Sequence, residues 1–246
     1  MFKPTAFAKD HHPQHDAHPP PRLSRAEGVS RREVLTGSIG LAGMLLSAGA
    51  WPALAQNSAR KVTAEESMGP FYPLAVPVDH DADLTLIAGR KESAKGQVVY
   101  VSGRVTDVHG TPVVNGVIEV WQANAAGRYA HPADTSKAAL DANFQGFAII
   151  HTRADGSYSF KTIKPGAYPT GAGDWSRPPH IHFNVRGRKS RVVTQMYFEG
   201  EPLNAKDLLL QRAADKETMM SRYVAPSGEQ ERDALVAVWN IVLQTG

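Results

Sequence analysis

From residue 98 onward, short runs of β-branched and aromatic residues alternate with polar ones and end in Gly, Pro or Asp turns. Val98–Thr106 places Val99, Val101, Gly103 and Val105 on one side, the period-two signature of a strand with one buried face. The cluster Asp107-Val108-His109-Gly110-Thr111-Pro112 reads as a turn, and Gly116–Gln122 predicts a second strand. Phe147–Thr152 and Ser157–Ile163 flank Ala154-Asp155-Gly156, which predicts a hairpin. His180–Arg186 and Arg191–Phe198 predict two more strands, joined by the basic, solvated tip Gly187-Arg188-Lys189-Ser190. Near the end, Ala234, Leu235, Val238, Ile241 and Val242 recur at helical spacing and predict an amphipathic helix over an apolar sheet face. Leu208–Leu210 predicts a short helix. The expected fold is all-β: an antiparallel β-sandwich with long active-site loops and a C-terminal amphipathic helix. The loops are the irregular segments 123–146 and 164–179, and loops of that length in a compact domain usually carry function.

The first 55 residues follow none of these periods. Residues 1–30 are rich in Pro, His and small polar residues and are expected to be disordered. His11, His12, His15 and His18 belong to that polar tract and are not read as a metal site. Next come Ser30-Arg31-Arg32-Glu33-Val34-Leu35, a Gly- and Ser-diluted apolar run from Gly37 to Trp51, and the small-x-small site Ala53-Leu54-Ala55. Charge, a short apolar stretch and a cleavage site in that order make a signal peptide, and the run is too short to span a membrane. The arginine pair resembles the twin-arginine export signal; the alternative is an ordinary secretory signal with two chance arginines. The expectation is a leader over 1–55 and one domain over 56–246. The mature chain would start near Gln56 and be periplasmic or secreted, touching a membrane only transiently during export.

Composition then narrows the chemistry. The chain has 246 residues, of which 42% are hydrophobic, enough for a sizeable core. No cysteine is present, which excludes a disulfide scaffold, a thiol nucleophile, Cys-ligated zinc and an iron–sulfur cluster. A sequence pI of about 9.1 suggests nucleic acid until the charge is apportioned. Residues 1–55 hold six Lys/Arg and four Asp/Glu, so the remainder carries a net charge of only +1. A nucleic-acid surface needs a strong basic field on the folded part, so no nucleic-acid partner is expected.

The residues that carry chemistry begin with His180-Ile181-His182. On a strand both imidazoles project to one face, while Ile181 and Phe183 face the other layer, so the pair can reach one metal ion. No Asp or Glu is close in sequence, which weakens a two-His-one-carboxylate Fe(II) site. Two tyrosines stand in the irregular segments: Tyr129, after Asn124-Ala125-Ala126-Gly127-Arg128, and Tyr168, after Pro165-Gly166-Ala167. A lone loop tyrosine is ordinarily a packing residue. As a metal ligand, a phenol with a pKa near 10 requires a strong Lewis acid, and the resulting hard anionic oxygen suits Fe(III) better than Fe(II) or zinc. His80, His109, His131 and His151 lie outside these runs, and Trp121 and Trp175 read as packing anchors.

Five runs then occur together and in order. They are Met68-Gly69-Pro70-Phe71-Tyr72-Pro73, Val117 to Asn124 leading into Gly127-Arg128-Tyr129, Asp155-Gly156-Ser157-Tyr158, Gly166-Ala167-Tyr168-Pro169, and Arg177-Pro178-Pro179-His180-Ile181-His182-Phe183. The chain resembles the intradiol ring-cleavage dioxygenases of the protocatechuate and catechol types over residues 62–198. The resemblance implies a non-haem Fe(III) held by Tyr129, Tyr168, His180 and His182. It implies that Arg177 stabilises negative charge developing on the substrate ring, that Tyr168 also takes a substrate proton, and that Gln195 is an active-site glutamine. Gly69, Pro70 and Tyr72 would line the substrate mouth. The reaction implied consumes O2 and a small aromatic diol, and cleaves the ring between its two hydroxylated carbons to give a muconate-type dicarboxylate. The family resemblance also implies a homo-oligomer. Thr170 stands where the protocatechuate type usually has an aromatic residue, and few residues precede Gly69 in the mature chain, unlike the catechol type, so the substrate stays open. The rival is a non-catalytic module: Gly103 to Val120 resembles transthyretin-like and carboxypeptidase-regulatory sandwiches. Such a module has no reason to assemble two tyrosines, two histidines and an arginine.

Overall fold

The computed structural model describes residues 59–171 and 174–246; the leader expected over 1–55, its arginine pair and the expected start of a mature chain lie outside them. The regular secondary structure of the described residues is mostly β, joined by long irregular segments. Its strands are β1 (Val98–Asp107), β2 (Val117–Trp121), β3 (Phe147–His151), β4 (Ser157–Ile163), β5 (Tyr168–Pro169), β6 (Ser176–Arg177), β7 (His180–Arg186), β8 (Arg191–Phe198), β9 (Met220–Val224), β10 (Leu235–Val238) and β11 (Ile241–Leu243). One short helix, α1 (Leu208–Arg212), follows Asp207, whose side chain caps it by accepting from the Leu209 amide. It is the short helix expected there. Among the described residues no helix is long and apolar enough to cross a membrane.

Nine strands form one sheet in the order β11-β1-β10-β9-β8-β7-β2-β3, with β4 on the other edge of β1, while β5 and β6 pair separately. The six strands predicted by alternation are present within a residue or two of the expected bounds. The expected all-antiparallel pairing is not what forms: β10 and β11 both run parallel to β1, and β9 runs parallel to β8. The connection from β8 to β9, which contains α1, is long enough to return the chain in the same direction, whereas β10 runs antiparallel to β9.

The expected C-terminal helix is also absent; Leu235–Val238 and Ile241–Leu243 are strands. Of the residues assigned to its apolar face, Leu235, Val238 and Val242 are only half-buried, whereas Val236, Ala237, Trp239 and Leu243 are buried. The long strand β1 explains why. Its residues 99–102 take β10 as partner, and its residues 105–107 take β11. Between them the chain passes across β1 at Gly103, where a Cβ would fall 1.7 Å from the Trp239 carbonyl oxygen. A short apolar run does not distinguish helix from buried strand by period alone; here the unpaired edge of β1 and the β-branched residues favour the strand.

The main core is a continuous cluster that includes Val99, Val101, Ile118, Phe160, Ile181 and Phe183. His180 and His182 alternate with Ile181 and Phe183 on β7 and therefore leave by the opposite face. There they join a second, smaller aromatic cluster of Trp121, Tyr129 and Phe147, packed by Phe71, Tyr72 and Tyr168.

Candidate metal centre

Strand pairing sets the floor of the site. His180 is opposite Tyr197 and His182 opposite Gln195 on β8, while Trp121 of β2 pairs with His182 from the other side. The imidazole of His182 stacks on the Trp121 indole, with ring centroids 4.9 Å apart and planes 9° apart. The two histidine rings are themselves 4.9 Å apart. His180 Nδ1 donates to the Pro178 carbonyl at 2.7 Å, which fixes the tautomer and leaves Nε2 with its lone pair. That Nε2 lies 3.4 Å from the Tyr168 hydroxyl. Burial, then the nearby Arg177, pushes His182 down to about 3; the same two causes and His182 hold His180 well below the usual imidazole range. Both rings are therefore neutral, as metal ligands must be.

Two loops bring the tyrosines over this floor. Asn124 links them: its carbonyl accepts from the Gly127 and Gly166 amides, and its side-chain oxygen accepts from Ala126 and Arg128. Asp134 accepts from the Tyr129 amide at 2.7 Å and from the Ser136 amide at 2.9 Å, fixing the far side of the first loop. Tyr129 stacks on Phe71 at 4.5 Å, and its ring centroid is 5.6 Å from Tyr168 and 6.2 Å from His182. Its hydroxyl is buried with no hydrogen-bond partner. Such an orphan costs roughly 1–3 kcal/mol unless something binds it. Burial pushes both phenols up, Tyr129 far up, with Tyr168 held back by Arg177. Tyr129, Tyr168, His180 and His182 thus converge as four side chains that could hold one metal ion. Among the described residues no cluster of three or more His, Asp or Glu forms, so a two-His-one-carboxylate arrangement has no counterpart there.

Gly127 is what lets the loops meet. It has φ +76°, and a Cβ on it would fall 2.4 Å from the Ala167 carbonyl oxygen, one residue before Tyr168. Gly127→Ala should cost about 1–2 kcal/mol for the left-handed backbone alone. The clash should then push the tyrosine loops apart and lower the metal content of the purified protein. Thermal unfolding and metal analysis check this; unchanged stability and metal content would show that the loops yield without moving the phenols.

Arg177 is fixed on four sides. The two-residue strands β5 and β6 set it directly opposite Tyr168. Its Nε donates to both carboxylate oxygens of Asp207 at 3.1–3.2 Å, and Nη2 donates to Gln195 Oε1 at 2.6 Å and to the Tyr197 hydroxyl at 2.8 Å. Gln195 is held in turn, since its Nε2 donates to the Ser67 carbonyl and its Oε1 accepts from Tyr197. Arg177 is nearly and Asp207 completely buried. A cavity of about 520 Å³ opens beside this network, lined by Gly69, Pro70, Tyr168, Arg177 and Gln195 among others.

The expected residues mostly assemble. Gly69 and Pro70 line the cavity, with Gly69 beside the His182 imidazole. Tyr72 does not line it: its hydroxyl donates to Glu119 at 2.9 Å and its ring packs edge-on against Trp121. Glu119 also accepts from Asn184 and Arg186, so it draws the tyrosine to the far side of the aromatic cluster. Sequence reasoning missed Asp207, Tyr197 and Asp134. Tyr197 was within reach, because it shares a strand face with Gln195 two residues away. Asp207 lies 30 residues after Arg177, too far along the chain for any local pattern to join the two.

Comparison with known proteins covers the part of the chain that holds this site. A family model described as "Dioxygenase" matches residues 68–245. The chain is 47% identical over 174 residues to the protocatechuate 3,4-dioxygenase beta chain of Burkholderia cepacia, covering 68% of this chain and 72% of that one. It is 36% identical over 148 residues to catechol 1,2-dioxygenase 1 of Acinetobacter lwoffii, covering 55% of this chain and 46% of that protein. The chain therefore spans about half the length of that catechol relative. Among solved structures, the dioxygenase domain of a carbohydrate-binding fusion from Streptomyces sp. SirexAA-E superposes with a TM-score of 0.57 at 24% identity, over 76% of this chain and all of that one. The 3-chlorocatechol 1,2-dioxygenase of Rhodococcus opacus 1CP gives 0.57 at 20% identity, over 76% and 74%. At those identities the structural likeness speaks to the fold.

Proposed function

Since this chain belongs to the intradiol ring-cleavage dioxygenase family and is such an enzyme, we propose that it holds one non-haem Fe(III) and cleaves a small catechol, with O2, between the two hydroxylated carbons. The observation that carries this is the convergence of two phenols and two neutral imidazoles in one buried cluster, with Arg177 directly across from Tyr168. The donor set fits trivalent iron. Phenols held neutral by burial give up their protons only to a strong Lewis acid, and the hard anionic oxygens that result match Fe(III). The orphaned Tyr129 hydroxyl has no other partner to satisfy it. When bound, the ion would supply the Lewis acidity that holds a catechol as its dianion and readies the ring for O2.

The chain's own residues divide the remaining work. Tyr129, His180 and His182 are nearly fully buried and serve as fixed anchors. Tyr168 is only half-buried and lines the cavity, so of the two phenols it is the one within reach of substrate. Its oxygen is the acceptor for a proton leaving a catechol hydroxyl. Arg177 places a fixed guanidinium where negative charge grows on the ring. Asp207, Gln195 and Tyr197 hold it there, so no reorganisation is required during the reaction. Asp207 and Tyr197 are positioning residues, because they act through Arg177. Pro70, Phe71 and Leu209 give the cavity an apolar wall that limits water around the ring.

The product tests the reading. Iron-loaded protein given catechol and isotopically labelled O2 should form a cis,cis-muconate-type dicarboxylate carrying both labelled atoms, apart from loss by exchange with solvent. A yellow semialdehyde would mean cleavage beside the diol and would overturn the proposal.

A further inference from the structure

The charge on the cavity walls bears on which catechol enters. Resting on the function just proposed, we infer that the site selects uncharged catechols and disfavours rings that carry a carboxylate. Two charged side chains line the cavity, Arg177 and Asp134. The arginine is already matched: buried Asp207 grips its Nε, and Gln195 and Tyr197 take its Nη2. The aspartate is held in place by the Tyr129 and Ser136 amides, so its negative charge stays on the wall. Arg128, the cation nearest in sequence that acts on Asp134, lines a different cavity, so within this one the aspartate faces only the arginine whose charge Asp207 already balances from behind.

A ring carboxylate entering this space finds no unmatched cation among the described lining residues and meets Asp134 as a like charge. Lining hydroxyls such as Thr135 and Ser136 can donate hydrogen bonds but bring no charge, so the cost of taking the anion out of water is only partly offset and the repulsion from Asp134 adds to it. Residues 172 and 173, which follow Gly171 of the lining, are alanine and glycine and bring no charge to offset it. The rest of the wall named above, Pro70, Phe71 and Leu209, is apolar. It suits an unsubstituted or neutrally substituted ring.

The test compares protocatechuate with its methyl ester, which keeps the same ring and electron withdrawal but removes the charge, and with catechol itself. Iron-loaded protein should be titrated with each under anaerobic conditions at neutral pH and low salt, with binding read by calorimetry. The ester and catechol should bind on the order of tenfold or more tightly than the acid. Asp134→Asn should shrink that ratio several-fold; because each ratio is taken within one protein, any general damage to the tyrosine loop cancels. Acid binding equal to or tighter than the ester would overturn the inference and leave the cleavage reaction intact. Failure to cleave any of the three once O2 is admitted would overturn the reaction, while the binding ratio would still decide the charge preference.

Discussion

Tyr129→Phe should strip most of the iron from the purified protein, and with it the tyrosinate-to-iron colour and essentially all turnover. Loss of a residue that only supports a ligand typically costs about 10–100-fold in metal affinity, so loss of a ligand should exceed about 100-fold. The substitution is chosen for what it spares. The ring remains free to stack on Phe71, and the hydroxyl it removes has no hydrogen-bond partner among the described residues. If Tyr129 were only a packing residue, Phe would be neutral or slightly stabilising and nothing else would change. The expected result is therefore a split: metal-free protein as stable as wild type or more so, and metal content near zero. His180→Ala should lose iron in the same way but without the gain in stability, because the Pro178 carbonyl loses its donor. A Tyr129→Phe protein that keeps its iron and colour would refute the four-ligand assignment.

The second large effect concerns Arg177. Arg177→Ala should keep iron and colour yet lower turnover by on the order of a hundredfold or more, the scale seen when one preorganised charge or donor is removed from a site. It should also destabilise the fold by about 3–5 kcal/mol, because Asp207 is left buried and unmatched. Low activity in that variant alone could come from poor folding. Arg177→Ala combined with Asp207→Ala removes both charges. It should recover much of the lost stability, read by thermal unfolding, while recovering none of the turnover per iron. A double variant with near-wild-type turnover would show that the arginine does no more than neutralise Asp207.

The two residues differ in how far the sequence reveals them. Tyr129 is carried by a run of motif residues and could be named before any fold was known. The partner of Arg177 could not. Asp207 caps α1 in full agreement with its local sequence, and its second role depends on where the β8–β9 connection returns to the sheet. The same holds for Tyr72, whose motif suggested the substrate mouth. A buried carboxylate on β2, Glu119, settles its direction instead.

What the sequence determined by itself is whatever a period of two can encode. The strands β1, β2, β3, β4, β7 and β8 follow from alternation, and so does the projection of both histidines away from Ile181 and Phe183, because side-chain direction on a strand is a local property. The tertiary structure decided everything that depends on which edge a segment meets. The C-terminal residues became β10 and β11 because β1, already paired with β4 along one edge, offered unpaired backbone on the other, although their apolar spacing suits a helix equally well. Tyr168 and Arg177 came to face each other because two stretches of one irregular segment, each too short to signal a strand, pair with one another. Hydrogen-bond partners distant in the chain leave no periodic trace in either segment, so those contacts exist only once the chain has folded.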